Sequence, residues 1–275
     1  AQLYTAYYKT TSVHTGSKRT LLGNIATVGN WTTSTSSAST VPASIATTTF
    51  TVSSSNPNGT WVGDAASNSN DWFTCGNWAG LTVPDRDMDV VLPNVTNFAR
   101  IDVDGYAVGS CSGTYTSDKY KVNGVRLAEC KTLTVDGETL EFGNGSSNSG
   151  DVNDRLDIYG SLTINNTVGS NLDMDAGTSL QDGTINLQGD WINNMTAAAF
   201  AEGNGTINFV ETINQFVTTA SFAEEFSNIG INKTGGSVTL NNPADVVTNA
   251  AFTQGLINTT ATNLLTFKNN ATTTG

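Results

Sequence analysis

"GTINL" begins at Gly183 and "GTINF" at Gly205, and a near-copy about 22 residues on is the mark of an internal repeat. The same step carries Ile207 to Ile229 in "SNIGINK". Backward, Ile164 in "SLTIN" stands 21 before Ile185, and Phe142 stands 22 before Ile164; forward, Phe252 follows Ile229 by 23. The series Phe142, Ile164, Ile185, Ile207, Ile229 and Phe252 therefore keeps one register over most of the C-terminal half. Short β-type segments recurring at such a period, with no helical stretch between them, are the signature of a β-solenoid. The local pattern agrees. In "LDIYGSLTINN" Leu156, Ile158, Leu162 and Ile164 share one parity, while Asp157, Tyr159 and Asn165 share the other. The expectation is an all-β chain folded as a right-handed parallel β-helix of about 22 residues per rung, the hand following from parallel crossovers. A leucine-rich repeat is excluded because its dense leucine pattern is missing.

Composition narrows the chemistry. Only 13% of the residues are charged, so the surface is made polar by Thr, Ser, Asn and Gly. Branched Thr suits a pleated strand, while Asn and Gly supply turns. The formal charge of −12 argues against nucleic acid, which needs many cationic contacts to phosphate, and against an anionic membrane surface. No apolar run is long enough to insert directly into a bilayer. Low charge with abundant Thr, Ser and Asn points to an extracellular, cell-surface location.

The chain divides into three parts. Residues 1–55, with "TTSTSSAST", read as a Thr/Ser-rich extension or cap; residues 56–130 as a Trp- and Cys-bearing β-rich capping module with the first rungs; residues 131–275 as the parallel β-helix. "LLTFKNNATTTG" still reads as an ordinary rung, so the helix continues beyond this stretch or is covered by another chain.

The segment "GTWVGDAASNSNDWFTCGNWAGLTVPDRDMDVVLP", with its TW-G, DW…NW and VP…D-V-L-P features, resembles a module of large secreted cell-surface adhesins of Bacteroidetes-type bacteria. "LDIYGSLTI", "GTINLQGDWINN" and "EEFSNIGINKTGGSVTLNNPADVV" are similar to the β-helical rungs that follow it there. The resemblance spans about residues 59–275. It implies an extracellular, cell-surface protein, often a large adhesin, exported by a type IX route. A long solenoid is a stiff rod whose lateral face binds by many weak contacts, so a non-enzymatic adhesin or stalk is expected, with a surface polysaccharide or other cells as partner. The sorting domain expected at the far C-terminus of such proteins is not seen here, which separates this sequence from that pattern.

Candidate site residues have bland and sharp readings. Trp61, Trp72 and Trp78 read as a hydrophobic plug over the solenoid end in preference to a sugar-stacking platform, since large aromatics bury extensive area. Cys75 is expected to pair with Cys130, closing a loop of about 55 residues worth on the order of 4 kcal/mol in the chain-entropy model. Cys111 with Cys130 is the rival pair. Asp85, Asp87 and Asp89 would face one way in an extended segment and form a candidate Ca²⁺ site, against the commoner reading as a solvated acidic face. No other cofactor is indicated. Similar acidic pairs occur at Asp102/Asp104, Asp151/Asp154 and Asp173/Asp175.

An enzyme is the runner-up class, because parallel β-helices include polysaccharide lyases and hydrolases. Lyase chemistry needs a basic group beside acidic ligands. Lys131, Arg155, Lys233 and Lys268 are the only basic residues after 130, and they are widely separated. Asp151, Asp154 and Asp157, with Glu138 and Glu141, form the best available carboxylate group for a glycosidase. His14 has no nucleophile context. The expected function is therefore non-enzymatic, with head-to-tail assembly of identical subunits into a filament or sheath as the alternative.

Overall fold

The computed structural model describes residues 59–66, 68–102, 121–122, 125–143, 154–174 and 183–275. All of them fall within the unit Asn56–Gly275. Residues 1–55, His14, Asp104, Cys111, Asp151 and Asp175 lie outside the described residues.

The architecture is all-β, with no α-helix among the described residues. The chain enters at β1 (Asp89–Pro93) and β2 (Ala99–Ile101). A small antiparallel pair follows, β3 (Lys121–Val122) with β4 (Val125–Arg126). Next come β5 (Ala128–Cys130), β6 (Thr132–Asp136), β7 (Thr139–Phe142) and β8 (Arg155–Ile158). They are succeeded by β9 (Leu162–Ile164), β10 (Asn171–Asp173), β11 (Thr184–Leu187) and β12 (Trp191–Asn193). β13 (Phe200–Ala201), β14 (Thr206–Val210) and β15 (Gln215–Thr219) lead into two long strands, β16 (Glu224–Leu240) and β17 (Ala244–Asn258). β18 (Leu265–Phe267) and β19 (Thr272–Thr274) complete the order.

Pairing sorts these strands into three parallel ladders. The first runs β5, β8, β11, β14 and the Asn228–Asn232 part of β16. The second runs β1, β6, β9, β12, β15 and the Val238–Leu240 part of β16. The third runs β2, β7, β10 and β13. From β5 to β15 the chain visits the ladders in strict rotation, so each strand bonds to the one met three strands later. β17 follows β16 with three register shifts along the pairing, and β18 and β19 extend β17.

Alternation within each strand fills the interior. On the first ladder Leu156, Ile185, Ile207, Ile229 and Ala250 stack in register, all essentially inaccessible. Leu133, Leu162, Trp191, Val217 and Leu240 do the same on the second, and Leu140, Leu172 and Phe200 on the third.

The single register expected from the sequence holds only in part. Ile185, Ile207 and Ile229 are direct neighbours. Phe142 instead faces Ile101 on the third ladder, and Ile164 faces Val135 on the second. Phe252 pairs with Ile231, while Ile229 is followed by Ala250. The reason is the corner between the third and first ladders. It takes 143–154 between β7 and β8, 174–183 between β10 and β11, and only 202–205 between β13 and β14. In β16 and β17 the strand runs through that corner without a break. Partners therefore stand 29 residues apart at Asp157 and Asn186 but 22 apart at Asn186 and Asn208.

The "GTIN" glycines serve this corner. A Cβ on Gly183 would enter the Phe142 ring at 2.5 Å, and one on Gly205 would stand 2.5 Å from Met174 Cβ. Their absence lets the chain turn tightly over the side chains of the preceding turn.

Ile207 lies mid-column and is 1% exposed. Ile207→Ala should lower unfolding free energy by about 2–5 kcal/mol in urea titration, with Thr206→Ala changing it by under about 1 kcal/mol. Equal effects from the two substitutions would contradict the inward and outward assignment.

Candidate functional site

The tryptophan-rich segment builds onto the open edge of β1 and β2. Thr60 bridges to Val91 and Asp71 to Arg100, both in parallel, which carries the second and third ladders one step further. The backbone bonds are Trp61 N to Val91 O at 2.9 Å and Trp72 N to Arg100 O at 2.9 Å. Trp61, Trp72 and Trp78 are all 0% exposed and meet edge to face, with ring centroids 5.0 and 4.8 Å apart. Trp61 Nε1 donates to Asn97 O and Trp78 Nε1 to Trp72 O, each at 2.7 Å. No indole face is open, so these residues do not form a sugar-stacking platform.

Two polar residues that sequence reasoning passed over organise the segment. Asp71 is fully buried and accepts from Thr74 Oγ1 at 2.8 Å and Phe73 N at 3.3 Å. Asn77, also fully buried, donates to Asn68 O and Asp71 O and accepts from Ala65 N. The "DW…GNW" spacing is thus a set of backbone clamps around the indoles. A buried carboxylate and amide persist there because each finds hydrogen-bond partners.

The cysteine pairing is corrected. Cys130 is a free, fully buried thiol, so neither Cys75–Cys130 nor Cys111–Cys130 forms. Cys75 is itself disulfide-bonded. Cys130 ends β5 with Ala128 and Cys130 turned inward, opposite Leu156 and Ile158. It behaves as a small apolar side chain, and burial pushes its thiol far above the usual range.

The three aspartates do not converge. "PDRD" turns at Arg86–Asp87, with Asp87 N donating to Asp85 Oδ1 at 3.1 Å and Met88 N to Asp85 O at 3.0 Å. An Asx turn breaks the two-residue alternation on which a shared face depends. Asp89 opens β1 and is held by Thr132 Oγ1 at 2.8 Å and Lys131 Nζ at 3.2 Å. The Thr132 hydrogen bond, with Lys131 behind it, keeps its carboxyl below the ordinary value. Among the described residues no group of three or more His, Cys, Asp or Glu is placed to hold a metal ion.

The carboxylates considered for hydrolysis are dispersed in the same way. Glu138 caps backbone, accepting from Val95 N at 3.2 Å and Thr139 N at 2.8 Å. Glu141, on the third ladder, pairs with Arg100 at 2.7 Å; burial raises its carboxyl while Arg100 lowers it. Asp157 lies on the first ladder, gripped by Arg155 through two bonds of 2.8 and 2.7 Å and by Asn186 Nδ2 at 2.7 Å. Asp154 is buried at the start of β8. Glu138 is thus engaged by backbone, Glu141 by Arg100 and Asp157 by Arg155 and Asn186, while Asp151 lies outside the described residues.

Glu224 and Lys233 are among the buried ionisable groups of the described residues. Glu224 is 1% exposed and accepts from Trp191 Nε1 at 2.8 Å and Asn193 Nδ2 at 3.5 Å. Burial pushes its carboxyl up to about 7, with the Glu202 charge adding to the rise and the two hydrogen bonds opposing it. Lys233 is 2% exposed, and its Nζ donates to Gln215 Oε1 and, at 3.4 Å, to Val210 O. Gln215 Nε2 in turn donates to Leu187 O at 2.8 Å and Gly189 O at 2.6 Å. Burial lowers the Lys233 ammonium and the Glu211 charge opposes this. The inward parity of Glu224 beside Phe226 was the sequence signal for the first. For Lys233 the signal was weaker, since "GINKTGG" reads as a turn.

The outer surface of the first ladder carries a directed polar chain. Asn208 Nδ2 donates to Asn186 Oδ1 at 2.9 Å, and Asn186 donates to Asp157. Around its head, Arg86 stacks over the Tyr159 ring at 4.4 Å. Burial raises the nearby Glu129 carboxyl, against a hydrogen bond from Tyr159.

Glu224 gives a pH dependence of defined sign. Its folded value of about 7 exceeds the ordinary 4.5, so its contribution is fully present below about pH 4.5 and is lost as pH rises through 7. Relative to Glu224→Gln, wild-type unfolding free energy should fall by about 3 kcal/mol across that window. Parallel pH profiles for the two proteins would refute the buried protonated carboxyl. Cys130 should resist thiol reagents in the native state and react once denatured; reaction in the native state would contradict its burial. Comparison with known proteins gives no match, whether with family models, curated proteins or solved structures.

Proposed function

We propose that this chain is a segment of a non-enzymatic extracellular surface protein, an adhesin or stalk built as a right-handed parallel β-helix with turns of unequal length. The observation that carries this reading is the unbroken rotation of parallel strands through three ladders. Each turn adds about 4.8 Å along one axis, so the fold grows as a stiff rod with long flanks. Flanks of repeated polar residues suit adhesion, where many weak contacts sum to firm attachment. The disulfide at Cys75 fits an oxidising compartment. The Trp-rich opening supports the reading by its resemblance to Bacteroidetes-type surface modules. No helix among the described residues is long and apolar enough to cross a membrane.

Self-assembly end to end is the second reading. Leu256, Leu264 and Phe267, on and beside the outermost strands β17 and β18, are 65%, 50% and 40% exposed. A sheet edge with exposed apolar side chains is a template for strand addition.

Electron microscopy should show single straight rods, and beads coated with the chain should be retained on polysaccharide or cell surfaces without releasing reducing ends. Polymers with a fixed axial repeat would favour self-assembly. Polysaccharide depolymerisation abolished by Asp154→Asn or Asp157→Asn would replace the adhesive reading with an enzymatic one.

A further inference from the structure

The three flanks differ in charge. On the third ladder, outward positions carry Arg100, Glu141 and Asp173 in register, followed by Glu225 and Asp245 on β16 and β17, with Lys268 reaching Asp245 at 2.7 Å. On the first ladder, charge stops at Arg155 and Asp157. Beyond them the outward residues are Thr184, Asn186 and Gln188 on one turn, Thr206, Asn208 and Val210 on the next, and Asn228, Gly230 and Asn232 on the third. Asn249 and Thr272 continue the Thr184 column. In a chain of net charge −12, this face from 184 to 274 holds no ionisable side chain.

Its geometry is regular. Neighbouring columns stand about 6.6 Å apart along a strand, and neighbouring turns about 4.8 Å apart. Thr184, Thr206 and Asn228 pair directly, as do Asn186, Asn208 and Gly230. Gly230 has a specific role, since a Cβ there would lie 2.1 Å from Asn208 Oδ1. The amide chain running from Asp157 through Asn186 thus ends on an acceptor that occupies the space where another side chain would sit. Amides and hydroxyls that both donate and accept, set on a rigid frame with no charge to desolvate, match a ligand with the same dual character.

We infer that the uncharged outer face of the first ladder is the adhesive surface, and that its partner is an extended neutral polysaccharide lying along the coil axis. This rests on the adhesive reading above and names the flank and the ligand class. Polyhydroxyl chains present alternating donors and acceptors without charge, and each sugar bound to one turn raises the effective concentration of the next. Acidic polysaccharides are disfavoured because the adjoining flank sets Glu141, Asp173, Glu225 and Asp245 against only Arg100 and Lys268, leaving its balance acidic, and like charges repel.

The test is retention of the full chain on microcrystalline cellulose and on insoluble β-1,3-glucan, with alginate as the acidic contrast. Wild type should be retained on at least one neutral polymer and not on alginate. Thr206→Glu with Asn232→Glu should reduce retention tenfold or more, and Asn208→Ala severalfold. Thr163→Glu with Thr218→Glu, on the second ladder, should leave it within twofold, all variants first shown to keep the wild-type β circular dichroism and melting profile. Equal loss from both double variants, or none from the first, would overturn the assignment of the face while leaving adhesion intact. Retention on alginate alone would overturn the neutral ligand. Freezing-point hysteresis abolished by Thr206→Glu, without polymer retention, would assign the face to ice and overturn the proposal. Absence of retention on any polysaccharide or cell surface would instead remove the adhesive reading beneath it.

Discussion

The parallel hydrogen-bond ladder is the constraint on which everything else in this structure depends. Once β11 bonds to β14 and β14 to β16 in parallel, Thr184, Thr206 and Asn228 must stand side by side, as must Ile185, Ile207 and Ile229. Each position then sees its own kind above and below. Inward positions accept stacked aliphatic and aromatic groups, and outward positions accept groups that tolerate a neighbour about 4.8 Å away. Neighbouring carboxylates in such a column repel, as Glu129 with Asp157 and Glu141 with Asp173, and several are offset by other partners: Asp157 by Arg155 and Asn186, Glu141 by Arg100, Asp245 by Lys268. Neutral amides avoid that difficulty, and the Asn186–Asn208 bond turns adjacency into a contact.

Much of this was legible in the sequence, because a parallel stack repeats its chemistry. The "GTIN" pair located two consecutive turns of the first ladder, and period-two alternation marked inward residues. The register failed at Phe142 and Ile164 for a definite reason. Apolar residues recur on all three ladders, so equal spacing in sequence can link positions on different faces. Only the corner lengths distinguish them, and 143–154 and 174–183 vary without disturbing any ladder. Cys130 was misassigned although the signal was present: "AEC" alternates like a strand, which makes its cysteine a core residue. The aspartates misled in the opposite sense. Their alternation suggested a strand, but a Pro-Asp step favours a turn, and Asp85 makes one.

The interior polar residues follow from the same corners. Where two ladders meet, carbonyls leave the sheet direction and need other donors. Between the first and second ladders, Gln215 donates to Leu187 O and Gly189 O, and Lys233 donates to Val210 O one turn further. Between the second and third, Asn193 donates to Thr196 O and Thr219 Oγ1 to Phe222 O. Glu224 completes that second corner by accepting from Trp191 and Asn193. Between the third and first, the glycines of "GTIN" close the turn over Phe142 and Met174 without any side chain. Each corner thus has its own solution: amide and ammonium donors, a carboxyl acceptor, or an absent Cβ. A buried lysine and glutamate in a parallel β fold of low charge are therefore corner fastenings before they are candidates for catalysis. Their inward placement keeps them away from the first-ladder face, which carries no charge from residue 184 onward.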